Sequence, residues 1–222
     1  MISISLIIIS TSIFSLFRGW QENNQRINEL EKTTIETELK QLKSQINPHF
    51  LFNTINNANI KVEKDPEEAY SIITKLEDLL RYQLIDTSND KICLNNDISF
   101  LSDYLELEKT RRSRFVYTIK ADEGTDDLEI FPLLFIPFVE NAVKHSLTTK
   151  GESNINITFQ KENDYLHFFC ENSKPISPAK QKPGGLGLKN IKRRLDLLYG
   201  DSYTLDITES NEKYIVNLYL KI

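Results

Sequence analysis

A histidine that follows a proline is the first group in this 222-residue sequence that could carry out chemistry. His49 follows Pro48, and Asn53 lies four residues further on, so the two polar side chains share one face of a helix. Pro48 either begins that helix or kinks a continuous one. A neutral imidazole has a ring nitrogen that can attack phosphorus, and Asn53 could orient the ring. Taken alone, a histidine on an amphipathic helix is more often structural.

A second polar cluster lies on a helix predicted over residues 132–147. Glu140 and Lys144 are four residues apart, as are Asn141 and His145, and all four lie on the side opposite the apolar positions. The amide oxygen of Asn141 suits Mg²⁺, and the ammonium group of Lys144 suits a phosphate. When these residues are taken alone, a solvated helix face is the simpler explanation.

Glycines introduce a third cluster. Gly184, Gly185 and Gly187 lead into a helix predicted from Leu188 to Tyr199. A helix N-terminus with exposed backbone N–H groups attracts phosphate, although a glycine-rich turn is weak evidence by itself. The helix also carries basic side chains, at Lys189, Lys192, Arg193 and Arg194. Beside a glycine turn, the phosphate of a nucleotide is a simpler partner for them than nucleic acid, and neither the P-loop nor the dinucleotide fingerprint is present.

The composition excludes several classes of protein. The chain has 27 Lys and Arg against 32 Asp and Glu, a formal charge of −5, which argues against a general nucleic-acid binder. Two cysteines, Cys93 and Cys170, cannot build a disulfide scaffold, so a reducing compartment is favoured. With 40% hydrophobic and 27% charged residues, the chain is neither disordered nor wholly embedded in a membrane. Its length fits one large domain or two modest ones.

The N-terminal stretch differs from this average. Residues 1–17 carry no charge, and Arg18 and Trp20 end the run in the way that a membrane boundary does. We therefore predict a transmembrane segment over residues 1–20, alone or as the last of several. The basic residues that follow would place residues 18–222 in the cytoplasm. A signal peptide fits less well, and a helix buried against the rest of the protein remains the alternative.

The elements that must position the three clusters begin with helices. No Gly or Pro interrupts residues 21–46, where Ile35, Leu39, Leu42 and Ile46 follow a heptad spacing. This predicts a stiff helix that pairs with a second copy, although an ordinary amphipathic helix explains the spacing nearly as well. A helix capped by Asp65 is predicted from Pro66 to Ile85, and another over about 96–113. The apolar face of the first of these comprises Ile72, Ile73, Leu76, Leu79 and Leu80.

The pattern changes after Arg114, where alternating apolar residues predict strands between helices. The predicted strands are 115–119, 155–160, 165–170, 202–208 and 214–221, and a loop spans about 173–187. Short turns between successive strands predict antiparallel hairpins. The expected class is therefore α+β with helices on one sheet face, and the domain boundary lies near 113–115.

Four motifs in one order carry a family resemblance, which covers roughly residues 40–222. QINPHFLFN at 45–53, LLRYQL at 79–84, PFVENAVKH at 137–145 and GGLGLKNIKRRLDLLYG at 184–200 resemble the signature boxes of the LytS/YehU-type sensor histidine kinases. The resemblance implies a helical linker and dimerisation/phosphoacceptor domain over 21–113. It also implies a GHKL-type α/β sandwich over 114–222, which binds ATP under a mobile lid.

The resemblance also assigns roles to residues. It makes His49 the phosphoacceptor with Asn53 as its partner, and it makes Asn141 the Mg²⁺ ligand, with Glu140 polarising the attack or organising the metal. The residues that it places around the nucleotide are Lys144, His145, Asn172, Gly185, Gly187 and Asn190. Asn172 departs from the family pattern, because GHKL ATPases commonly have an adenine-reading Asp there. An amide accepts a hydrogen bond without charge, so we expect a lower affinity for adenine.

The function implied by the resemblance is that of a homodimeric sensor histidine kinase of a two-component system. It would use ATP and Mg²⁺ to phosphorylate His49 and pass the phosphoryl group to an aspartate of a response regulator, of a type that often carries a LytTR DNA-binding domain. Direct contact with nucleic acid is not expected. The alternative is a nucleotide-binding module that signals through dimer packing without phosphotransfer. A phosphatase activity toward the regulator would be compatible with the first function.

Overall fold

The structure is a computed structural model, and it describes residues 17–21, 24–26, 48–85, 91–112, 114–125, 127–146, 153–174 and 185–222. The chain forms two compact units, residues 1–47 and residues 48–222. In the first unit, residues 17–21 and 24–26 are helical. No helix among these described ranges has the length and apolar character needed to cross a membrane. Of the predicted transmembrane segment over residues 1–20, residues 1–16 lie outside the described residues, as do the heptad positions 35–46.

Three helices open the second unit: α1 (Pro48–Val62), α2 (Pro66–Leu84) and α3 (Leu94–Thr110). The predicted cap of α2 is confirmed, since the Asp65 carboxylate accepts the backbone N–H of Glu68 at 3.0 Å. The predicted apolar face is correct except at Ile73, which is 53% exposed. Ile73 lies beside the buried stripe of α2 rather than within it, because that stripe follows Ala69, Ile72, Leu76 and Leu79.

A two-stranded sheet is absent from the sequence prediction. β1 (Ile92–Cys93) pairs antiparallel with β3 (Glu129–Ile130), and the backbone N–H of Leu94 donates to the Leu128 carbonyl at 2.8 Å. Strands of two residues have no periodicity that a sequence pattern could detect. This small sheet ties the beginning of α3 to the segment that leads into the next helix.

The main sheet has five strands: β2 (Phe115–Ala121), β4 (Ser153–Glu162), β5 (Tyr165–Ser173), β6 (Tyr203–Glu209) and β7 (Lys213–Lys221). Their order is β2-β4-β5-β7-β6. The predicted hairpins β4–β5 and β6–β7 are confirmed as antiparallel pairs. β2 and β4 are parallel, because the chain between them crosses back through a helix instead of a tight turn.

Two helices complete the unit, α4 (Ile136–His145) and α5 (Gly185–Tyr199). The ring of Phe138 in α4 lies 5.8 Å from that of Phe168 in β5, and Leu195 of α5 is fully buried in the same core. Helices α1 to α3 contribute to this core as well. The predicted α+β class is therefore confirmed. α4 begins four residues later than predicted, and α5 begins three residues earlier.

Candidate active site

His49 lies in the first turn of α1, with its side chain exposed to solvent. The amide nitrogen of Asn53 lies 3.2 Å from His49 Nδ1 and 3.1 Å from Nε2. An amide nitrogen can only donate, so a ring nitrogen that accepts this bond must be unprotonated. The two side chains are therefore in contact, as their spacing predicts, in an arrangement that restrains the orientation of the ring.

The residues next to His49 fasten α1 to α3. The Phe50 ring lies 5.0 Å from the Tyr104 ring, and the buried Thr54 hydroxyl donates to the Phe50 carbonyl at 2.9 Å. One turn further along, the Asn57 amide donates to the Thr110 hydroxyl at 3.0 Å. The exposed imidazole thus lies on a helix whose opposite side packs against α3. This packing restricts the positions that the imidazole can reach.

Glu140 acts electrostatically on this same region from helix α4. Burial raises the pKa of the Tyr104 phenol well above its ordinary value, and the negative charges of Glu108 and Glu140 raise it further. Tyr104 contacts Phe50, the residue next to His49. The structure therefore connects the helix that carries Glu140 and Asn141 with the helix that carries His49.

The polar end of α4 lies over the end of β5. The first turn of α4 is near Phe168, whereas His145, at its last turn, lies near Lys174 and Glu209. Burial lowers the pKa of His145, and the positive charges of Lys144 and Lys174 lower it further, while Glu209 opposes them. α4 therefore runs in the same direction as β5, toward the strand end that carries Asn172. Lys144 is exposed there, and Asn141 is partly buried.

Asn172 is 1% exposed on the inner face of β5. Its amide nitrogen donates to the Ser173 carbonyl at 2.9 Å, in the amide orientation assigned by this hydrogen bond. That bond leaves the side-chain carbonyl oxygen as the acceptor. An acceptor is what the exocyclic amino group of adenine requires, so the amide can replace a carboxylate in this role without its charge.

The glycines occupy a different place from the predicted one. Gly185 and Gly187 belong to the first turn of α5 rather than to a loop before it. The first backbone N–H groups of a helix have no intrahelical acceptor, so this turn presents donors to an anion. Asn190 and Lys189 are exposed one turn later. The predicted loop residues before this turn, 175–184, lie outside the described residues.

The side chains present fit a magnesium nucleotide. No group of three or more His, Cys, Asp and Glu side chains forms a metal cage in the described part of the chain. Mg²⁺ is usually held by one or two protein oxygens together with phosphates and water, so the adjacent carboxylate of Glu140 and amide of Asn141 are a suitable donor set. Both residues lie on α4, on the helix side that the sequence predicts to be polar.

Sequence reasoning missed two features. Tyr104 packs against Phe50 beside His49, and the charge of Glu140 helps to raise its pKa, but the sequence predicts only that it lies in a helix. Asp97 is fully buried, and it follows the buried Leu94 by three residues and precedes the buried Leu101 by four. An acidic residue at a position of the apolar helix pattern indicates a buried carboxylate, and this signal is present in the sequence.

The chain is similar in sequence to known histidine kinases. Residues 37–115 match the model of the family described as histidine kinase. The sensor protein LytS of Oceanobacillus iheyensis is 31% identical over 208 residues, which are 86% of this chain and 35% of LytS. The resemblance to LytS-type sensor histidine kinases is confirmed. The sensor histidine kinase BtsS of Escherichia coli is 27% identical over 181 residues, covering 81% of this chain and 32% of BtsS. The chain thus spans about a third of the length of these LytS-type relatives.

Solved structures of histidine kinases also align with the chain. The histidine kinase domain of a blue-light-activated kinase from Erythrobacter litoralis has a TM-score of 0.48 at 17% identity, covering 85% of this chain and 93% of that one. The catalytic domain of the histidine kinase ThkA has a TM-score of 0.46 at 18% identity, covering 59% of this chain and 93% of that one.

Proposed function

We propose that the chain is the output part of a homodimeric sensor histidine kinase, which transfers the γ-phosphoryl group of ATP to His49. The observation that carries the proposal is the contact between the exposed His49 imidazole and Asn53, on a helix whose Phe50 packs against Tyr104, the residue on which the charge of Glu140 acts. The acceptor and the nucleotide helix thus belong to one folded unit.

On the side of the phosphoacceptor, the protein mainly has to position the His49 ring against the γ-phosphate. An unprotonated nitrogen of His49 attacks the γ-phosphorus, the bond to the ADP oxygen breaks, and the proton on the other ring nitrogen is lost to water or a nearby base. The Asn53 amide limits rotation of the ring. Phosphoryl transfer has a loose transition state, so holding the lone pair in line with the leaving oxygen provides most of the catalysis.

The nucleotide half belongs, in this proposal, to a GHKL-type domain over residues 114–222, which follows a dimerisation and phosphoacceptor domain ending near 113. Asn141 and Glu140 would hold Mg²⁺, which neutralises charge on the phosphates. Lys144, His145, Asn190 and the first turn of α5 with Gly185 and Gly187 would face the phosphates. Asn172 would accept a hydrogen bond from adenine through its side-chain oxygen.

Exposed apolar side chains on the α1–α2 hairpin support the homodimer. A soluble helix rarely exposes so many large apolar groups unless another surface covers them. The residues are Phe52, Ile55, Ile60, Val62, Tyr70, Ile73, Leu84 and Ile85. Ile73, which the sequence predicts to be internal, is explained if the second copy covers it.

The partner and location follow from the resemblance and the sequence. We propose that phosphorylated His49 passes its group to an aspartate of a response regulator of the LytTR type. Residues 1–17 would anchor the chain in the bacterial inner membrane, with residues 18–222 in the cytoplasm. The acidic net charge of −5 agrees with a protein that does not itself bind nucleic acid.

A labelling experiment with the whole chain tests the proposal. With Mg²⁺ and ATP labelled at the γ-phosphate, we expect label that is lost in acid and kept in alkali, as a phosphohistidine requires. His49→Ala should carry no label, and Asn141→Ala should lose both label and nucleotide binding. His167→Ala is the matched control, because His167 stacks on Tyr219 on the other sheet face and should leave labelling intact. Label that persists in His49→Ala contradicts the proposal.

The same experiment decides on the second candidate, a nucleotide-binding module without phosphotransfer. The uncharged Asn172 at the proposed adenine position favours this candidate. A lower affinity for ATP suits a protein that responds to the ATP concentration. Nucleotide binding that changes dimer packing in the wild-type chain, with no label on His49, would support the module and exclude the kinase.

A further inference from the structure

A buried polar network lies where helices α2 and α3 meet the segment before α4. The Asp97 carboxylate of α3 is fully buried, and one of its oxygens accepts the Tyr82 hydroxyl of α2 at 2.7 Å. The same oxygen accepts the backbone N–H of Leu133 at 3.2 Å. Among the described residues, the other carboxylate oxygen of Asp97 has no hydrogen-bond partner.

Arg194 of α5 holds the same segment from the other side. Its guanidinium group donates to the Leu133 carbonyl at 2.8 Å and to the Pro132 carbonyl at 2.6 Å. Leu133 has a φ of 54°, in the left-handed region that a residue with a Cβ rarely adopts. Both backbone groups of this strained residue are therefore bound by charged side chains of opposite sign.

The network joins the elements of the proposed reaction. The turn over residues 132–135 leads directly into α4, which carries Glu140 and Asn141. Arg194 lies one helical turn after Asn190 on α5. Tyr82 lies on α2, which pairs with the helix that carries His49.

Stability alone does not explain such a network. A carboxylate buried with one oxygen unpartnered costs free energy, and apolar replacements of buried ionic groups are often neutral or stabilising. The turn also keeps a left-handed leucine. Strain of this kind persists where the surrounding structure imposes one geometry, and here that geometry sets the direction in which α4 leaves the turn.

We propose that Tyr82, Asp97 and Arg194 are positioning residues that clamp the turn over residues 132–135, and so hold the nucleotide-binding helices α4 and α5 against the hairpin that carries His49. This inference rests on the proposed function of those helices. The clamp has two separable contacts: Arg194 joins the turn to α5, and Tyr82 joins it, through Asp97, to the hairpin.

Two variants of the whole chain separate these contacts. Arg194→Gln should weaken binding of a fluorescent ATP analogue by about tenfold, because α5 is no longer fastened to the entry of α4. Tyr82→Phe keeps the ring that stacks 4.8 Å from Phe100 and removes only the hydroxyl. It should leave the Kd for the analogue unchanged and lower the rate of His49 labelling by about tenfold.

Matched controls remove the same groups outside the clamp. Arg114→Gln removes an exposed cation just before β2, and Tyr70→Phe removes the hydroxyl of an exposed tyrosine on α2. Both should bind the analogue and label like the wild type. Arg194→Lys, which keeps the charge but not the forked pair of donors, should fall between the wild type and Arg194→Gln, and it serves in place of Arg194→Gln if that variant does not fold.

Hydrogen exchange gives a readout that needs no activity. The Leu133 amide should exchange faster in Asp97→Asn and in Arg194→Gln than in Arg114→Gln. If Arg194→Gln and Tyr82→Phe match their controls in affinity, rate and exchange, the clamp is wrong. If the wild type never labels, but Arg194→Gln alone weakens the analogue and exposes Leu133, the kinase proposal fails while the clamp to α5 holds.

Discussion

Asp97 is a carboxylate whose surroundings disfavour its charge. Burial raises its pKa from 3.8 to about 6, against the opposing effects of the Tyr82 hydroxyl, the Leu133 backbone N–H and the Arg194 charge. Between these two values the folded chain binds a proton at Asp97 that the unfolded chain has released. Above about pH 7 both states are ionised, and the penalty of about 3 kcal/mol is fully present.

Protonation of Asp97 should therefore stabilise the fold as the pH falls from about 6.5 to about 3. We expect the free energy of unfolding of the wild type, measured relative to Asp97→Asn, to increase over this range by about 3 kcal/mol. The comparison cancels the other titrating groups. Urea unfolding at several pH values measures it, and a difference between the two proteins that does not change with pH would show that Asp97 titrates normally.

At the scale of the elements, helix α2 depends on its N-terminal cap. The Asp65 carboxylate accepts the Glu68 N–H, and Pro66 occupies the first turn. Asp65→Ala should lower the free energy of unfolding by about 1 kcal/mol, because a backbone donor loses its acceptor. Asp78→Ala is the control, since the Asp78 carboxylate pairs with the exposed Arg81 one turn away, and its loss should cost a few tenths of a kcal/mol at most. Equal urea midpoints for Asp65→Ala and the wild type contradict the assignment.

The elements that sequence predicts well are those whose signals are local. The cap and apolar spacing of α2 and the hairpins β4–β5 and β6–β7 were all predicted. The parallel pair β2–β4 and the two-residue strands β1 and β3 depend on contacts between distant segments. The late start of α4 has the same origin, because Asp97 and Arg194 hold the preceding turn in a conformation that the local sequence does not indicate.

The candidate site divides in the same way. The pairing of His49 with Asn53 follows from their spacing, and the structure contains it. The connection from Glu140 through Tyr104 to Phe50 joins helices α4, α3 and α1, so no single stretch of sequence could reveal it. Roles assigned by motif therefore needed the fold before they could be related to one another.

At the scale of the whole molecule, the α1–α2 hairpin has an apolar surface outside the core. Phe52 and Tyr70 are 72% and 74% exposed, and Ile73 is 53% exposed. In a homodimer with twofold symmetry each such side chain contributes twice, once from each copy, so burying them would stabilise the dimer strongly.

Ile73→Glu should therefore separate the dimer. Each copy then brings one carboxylate to an apolar interface, and both carboxylates lose their hydration when the dimer forms. We therefore expect the dimer dissociation constant to rise by roughly a hundredfold. Leu197→Glu is the matched control, because Leu197 is 76% exposed on α5, away from the hairpin, and should leave the dimer intact. Sedimentation equilibrium of the whole chain measures both. If Ile73→Glu stays dimeric at the concentrations where Leu197→Glu does, the hairpin surface is not the dimer interface, and its exposed apolar residues must meet a different partner.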